Sequence, residues 1–257
     1  MRTFMYKYGL CILCTILTCS VNAQKLPNTQ ETSQWLSSTA KVDGKLSEWP
    51  GSLQAYNKAT LVEYTLANDN KTLYLAIRSK DKTATAKILA GGISLILNSS
   101  GKIKGSEITF PATKSTYSYV KTGWPVKTFN ILTDSTAIRN EIQQLKEIKV
   151  LGLKGITDSL LSIYNEYGIE SKLSYTNETL VCELAIPLSL IGLSQKTPAE
   201  LTYSIKLNGV PVPPRPANIP MPQQLPPPVV IQRGGGDETE IQFGTYLNGK
   251  YSLAKKE

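Results

Sequence analysis

Residues 61–78, Leu61-Val62-Glu63-Tyr64-Thr65-Leu66-Ala67-Asn68-Asp69-Asn70-Lys71-Thr72-Leu73-Tyr74-Leu75-Ala76-Ile77-Arg78, decide the fold class. Two β-favouring arms, 61–66 and 73–77, flank Asn68-Asp69-Asn70-Lys71, whose side chains tolerate left-handed backbone angles, so the stretch reads as a β-hairpin. In the second arm Leu73, Leu75 and Ile77 share one face, and Tyr74, Ala76 and Arg78 share the other. That period of two belongs to a strand whose faces are used differently.

Outward from the hairpin the same pattern recurs. Strands are predicted at 93–97, 107–110, 115–120 and 126–132, punctuated by Gly91-Gly92, Ser99-Ser100-Gly101 and Gly123-Trp124-Pro125. Further strands fall at 148–153, 161–167, 170–176, 179–186 and 201–207, with a single helical turn at 187–193. One exception breaks the run: Ile138, Ile142, Leu145 and Ile148 lie on one helical stripe, begun by Asp134 or Ser135 as cap. The pattern is all-β with one short helix.

Between 208 and 238 periodicity stops. That stretch holds nine of the chain's 15 prolines together with Gly234-Gly235-Gly236, a composition that withholds backbone donors and buries little. It reads as an insertion, because 239–243 and 245–247 beyond it look like a closing strand that must pair inside the upstream sheet. Pro213-Pro214-Arg215-Pro216 leaves recognition by a protein partner open beside the plainer reading of a solvated loop.

At the other end, residues 1–23 carry Arg2 and Lys7, a short apolar run over 10–17 and the small-residue pattern Val21-Asn22-Ala23. This is the form of a signal peptide cleaved after Ala23, which implies export to the periplasm or the cell exterior. The polar stretch 24–40 reads as a flexible leader with Trp35 as its one anchor, and 41–257 as a single domain. Cys11, Cys14 and Cys19 leave with the signal, so Cys182 remains without a disulfide partner. Export without disulfides suits a bacterial envelope.

Of the formal charge of +8, Arg2 and Lys7 account for two, and the remaining lysines are scattered. Dispersed lysine among polar residues favours solubility over a nucleic-acid stripe, so no nucleic-acid partner is expected. The chain has no histidine, and Cys182 sits inside the apolar run Leu180-Val181-Cys182, so the usual catalytic bases and nucleophiles are missing. A carboxylate pair stays formally open, but no Asp or Glu lies in a motif suggesting glycoside hydrolysis.

The run Val42-Asp43-Gly44-Lys45-Leu46-Ser47-Glu48-Trp49-Pro50, the hairpin turn and second arm from Asn68 to Arg78, and Glu183-Leu184-Ala185-Ile186-Pro187-Leu188 follow one another in an order that resembles family 9 carbohydrate-binding-module-like domains of secreted bacterial proteins. The resemblance covers roughly 42–207, with 243 onward as the final strand. It implies a two-sheet antiparallel, jelly-roll-like β-sandwich within a wider group that binds sugars or haem. Haem would need axial side chains, and the mature chain offers only Met221, so no haem is expected. Sugar would need aromatic platforms with polar neighbours.

Trp124, held between Gly123 and Pro125 in a turn, is the first candidate platform, with packing equally open. Tyr117 and Tyr119 alternate on one strand and can extend it or merely cover a sheet. Tyr74 and Arg78 share a strand face, where Arg78 must meet solvent, a carboxylate or a ligand hydroxyl. Trp49 reads as a plug at the end of the sandwich, next to a turn at Asp43-Gly44. No cofactor is required, although oxygen-rich Asn68-Asp69-Asn70 and Asp81 could ligate Ca²⁺, as the resembled modules include calcium-containing members. The sequence thus points to a non-catalytic exported module that binds a carbohydrate or related envelope polymer, with a structural or protein-interaction domain of the envelope as the alternative.

Overall fold

In a computed structural model, which describes residues 25–36, 40–49, 51–99, 105–113, 117–119, 125–127, 134–194, 200–210, 216–218 and 240–256, the 61–78 stretch is the hairpin its sequence predicts. The chain begins with β1 (Gln34–Trp35), β2 (Ala55–Asn57), β3 (Val62–Asn68) and β4 (Thr72–Ser79), then helix α1 (Lys82–Gly91). Next come β5 (Ile93–Ser99), β6 (Ser106–Phe110), β7 (Tyr117–Tyr119), β8 (Pro125–Lys127) and helix α2 (Ser135–Gln144). The remaining strands are β9 (Glu147–Leu151), β10 (Leu160–Ser162), β11 (Glu170–Thr176), β12 (Thr179–Pro187), β13 (Glu200–Leu207) and β14 (Thr245–Ser252).

Two six-stranded sheets result. Sheet A runs β1-β3-β4-β12-β11 with β2 also paired to β3, sheet B runs β10-β9-β6-β5-β13-β14, and β7 and β8 pair separately. Every pairing among the described residues is antiparallel except β1 with β3. The inner faces alternate as period two requires: Tyr64, Leu66, Leu75, Ile77, Cys182 and Leu184 of sheet A meet Leu95, Leu97, Ile108, Ile148, Leu201 and Tyr203 of sheet B in one core. At its centre Tyr64 and Tyr203, one from each sheet, cross edge to face with ring centroids 6.2 Å apart and their hydroxyls 3.0 Å apart. Gly249, opposite Tyr203 on β14, leaves room for that ring, since a Cβ there would lie 2.3 Å from it.

The β-sandwich is as expected, but four expectations need correction. Among the described residues there are two α-helices. α1, capped by Asp81, is buried from Ala84 to Ala90, so it shows no polar face by which to recognise it. α2 starts at the predicted cap, Asp134, yet Ile148, counted as the last position of its stripe, belongs to β9. The segment expected as a flexible leader, 24–40, is docked where it is described: Gln30 is buried, and its side-chain amide donates to Leu66 O and accepts from Leu66 N, copying a strand pairing. The expected strand at 239–243 is instead a 3-10 turn over Glu240–Gln242.

The strands on either side of the Pro-rich segment, β13 and β14, pair with each other from Leu207↔Thr245 to Glu200↔Ser252. Most of that segment, with its proposed partner motif at Pro213-Pro214-Arg215-Pro216, lies outside the described residues, as do residues 1–24. Among the described residues no helix is long and apolar enough to cross a membrane.

Candidate functional site

The two outer faces of the sandwich are differently occupied, and this locates the site. On sheet A the outward positions Ala67, Ala76 and Ala185 are small, and Trp49, Leu36 and Leu53 of the preceding segment lie on them together with Tyr74. Glu183, 1% exposed, stands on the same face. It accepts from Asp43 N at 3.1 Å, Gly44 N at 2.7 Å and Trp49 Nε1 at 2.7 Å. Burial pushes its carboxyl above the ordinary value, against the pull of the Trp49 and Gly44 donors. Gly44 is required: its φ is +85° and a Cβ would fall 2.9 Å from Ser174 Cβ. The motifs at 42–50 and 183–188 are therefore two halves of one clamp that seals sheet A.

Tyr74 and Arg78, expected as ligand contacts, belong to this sealed face. Tyr74 is buried, and its hydroxyl, raised to about 12 by burial and then by the Asp69 carboxylate, donates to Asp69 Oδ2 at 3.1 Å. Arg78 pairs with its cross-strand neighbour Glu63, Nε donating to Oε2 at 2.9 Å and the terminal guanidinium nitrogen closing a second contact to the same oxygen. The Tyr74 hydroxyl is thus held by the turn of its own hairpin, and Arg78 is engaged with the neighbouring strand. The calcium candidates are likewise occupied: Asp69 Oδ1 accepts from Lys71 N and Thr72 N, Asp81 Oδ1 caps α1, and Asn68 holds the C-terminal tail through Tyr251 and Ala254. Among the described residues no three His, Cys, Asp or Glu converge on a metal position. Cys182 is buried in the core, where desolvation raises its thiol and removes it as a nucleophile.

Sheet B presents the opposite face. Strand registry aligns Tyr246, Lys206, Ser94, Thr109, Lys149 and Leu160 in one row across all six strands, a span of about 24 Å at the usual strand spacing. The middle of the row is a hydrogen-bonded floor. Asn208 Nδ2 donates to Ser94 Oγ at 2.9 Å, the Ser94 and Thr109 hydroxyls are 2.7 Å apart, and Ser94 Oγ donates to Glu107 Oε1 at 3.0 Å. At its ends stand exposed apolar side chains, Tyr246 at 61% and Leu160 at 50% exposure. Over this floor opens a cleft of ≈ 640 Å³, inside the range that small-molecule sites occupy. Fixed hydroxyls and an amide beside lysines can orient hydroxyl-rich ligands.

Thr113 lines this cleft, and so do Asn208, Gly209 and Gln242. Tyr117 follows Thr113 by four residues and Trp124 by eleven. The side chains of Tyr117, Tyr119 and Trp124 lie outside the described residues, and the backbones of Tyr117 and Tyr119 are in β7. Sequence reasoning missed the floor because its members sit on three separate segments. Each reads as an outward polar position, and only registry brings them together. The two carboxylates that line the cleft, Glu107 and Glu147, are not neighbours: Glu107 faces Leu151, and Glu147 lies four residues back along the same strand, roughly 14 Å away along the backbone.

No family model matches the chain, and no curated protein matches it. Among solved structures, a carbohydrate-binding module of family 9 from Caldicellulosiruptor kristjanssonii, in complex with glucose, is similar at 10% sequence identity with a TM-score of 0.38, covering 88% of this chain and 97% of that one.

Proposed function

We propose that the chain is a non-catalytic binding module and that it holds a carbohydrate in the sheet B cleft. The observation that carries this reading is the floor made by Asn208, Ser94, Thr109 and Glu107, with the exposed Tyr246 ring in the same row. A pyranose has an apolar face that stacks on an aromatic ring and hydroxyls that exchange hydrogen bonds with such a floor. Trp124, Tyr117 and Tyr119 are the further platforms in this reading, since their segment leaves the cleft at Thr113. In the same reading residues 1–23 direct export and are removed, so the N-terminal residue of the mature protein, read by mass spectrometry, is Gln24.

Titration calorimetry against a panel of soluble oligosaccharides, with and without calcium, tests the assignment. Heat with at least one ligand, abolished by Trp124→Ala or Tyr246→Ala in a protein of unchanged stability, is expected. Absence of heat throughout, with co-purification of a protein partner that depends on residues 208–238, would replace it with the role of an envelope interaction domain.

A further inference from the structure

A second opening, of ≈ 270 Å³, lies between helix α2 and the edge strand β11, and no residue lines both it and the sheet B cleft. Phe110, Ile142 and Leu173 give it apolar walls, whereas Arg139 and Lys146 give it two cations, and among the described residues no carboxylate lines it. Among the described residues neither of these cations makes an ion pair. Elsewhere on the molecule exposed cations do find acids, as Lys250 finds Glu200 at 2.9 Å.

Ser171 supplies an independent observation. It lines the opening from β11, is 8% exposed, and its hydroxyl is buried with no hydrogen-bond partner. A buried hydroxyl without a partner costs its desolvation, so native proteins retain few, and those kept call for a reason. Two cations without an ion-pair partner and a hydroxyl able to donate, around walls of Ile and Leu, define one kind of guest. Its oxygens must be negative and its body apolar and compact.

We propose that this opening binds a small organic carboxylate with a compact apolar body, the carboxylate facing the cations and accepting from Ser171 Oγ. Binding here is independent of the sheet B cleft. Because rim charges are screened, affinity falls as salt is added.

The test is titration of the intact protein with benzoate, followed by backbone amide shifts. Saturable shifts within 139–146 and 171–176 are expected, with benzyl alcohol, inorganic phosphate and glucuronate each binding at least about tenfold more weakly, or about 1.4 kcal/mol. Ser171→Ala, which removes the orphan hydroxyl, should weaken benzoate about tenfold while leaving the ligand-free melting temperature unchanged or higher. Lys146→Gln, at an exposed position, should weaken it several-fold without affecting the fold. Benzyl alcohol equal to benzoate would overturn the charge assignment, and phosphate or glucuronate binding as tightly would overturn the apolar body. Failure of benzoate to shift these amides, or full affinity in Ser171→Ala, would overturn the site itself.

Discussion

The outer faces of sheets A and B are built from the same alternation and put to contrary use. On sheet A alanines at 67, 76 and 185 let Trp49, Leu36 and Leu53 lie flat, and buried Glu183 ties the covering segment down through three donors. On sheet B the equivalent outward positions are Ser94, Thr109, Lys149 and Lys206, too polar for a lid, and the surface stays open as a cleft. The polarity of the side chains on the outward face thus separates the sheet that is covered from the sheet that stays open. In this fold one face holds stability and the other is free to recognise.

The contrast breaks most severely at Glu183. Glu183→Ala leaves Asp43 N, Gly44 N and Trp49 Nε1 buried without an acceptor; urea unfolding should show a loss of about 3 kcal/mol or more, at about 1–3 kcal/mol for each orphan. Trp49→Phe keeps most of the ring and removes one donor, so about 1–2 kcal/mol is expected by the same measurement.

Acidity sharpens the comparison further. The Glu183 carboxyl is raised above its ordinary 4.5, chiefly by burial, so the folded state holds the proton to higher pH than the unfolded chain does. Its contribution to stability is therefore complete below 4.5 and is lost as pH climbs through the raised folded value. The melting-temperature advantage of the wild type over Glu183→Gln should narrow across that window; a widening gap would refute the assignment. The smallest effect belongs to sheet B, where Tyr246→Ala should change stability by no more than about 0.5 kcal/mol and alter only ligand titrations.

Much of this was legible beforehand. Asn68-Asp69 made the hairpin turn and Asp134 the helix cap, because those side chains bond the neighbouring backbone and the sequence names them directly. Helix α1 stayed hidden since it is enclosed on all sides, and a stripe is visible only when one face is wet. Gln30 was unreadable for a different reason: an amide standing in for a missing strand looks like any polar loop residue. Trp49 packs as expected, but on the outer face of sheet A and not as a plug at the end of the sandwich, because its acceptor Glu183 lies 134 residues away on β12. Arg78 meets a carboxylate, one of the three partners its sequence context leaves open, and strand pairing selects it as Glu63. The cleft floor needed registry between strands, which no short window of sequence contains.

Asn68 fastens both the segment ahead of the hairpin and the tail beyond β14. Its carbonyl accepts from Leu36 N, and its side chain bonds Ala254 and Tyr251, up to 186 residues downstream. Protein synthesis delivers Asn68 long before Ala254, so this knot cannot be tied until residue 254 has been made. Until then the hairpin lacks its tail, and β13 waits for its late partner β14. Such late, distant closure predicts slow, all-at-once maturation instead of piecewise assembly during translation.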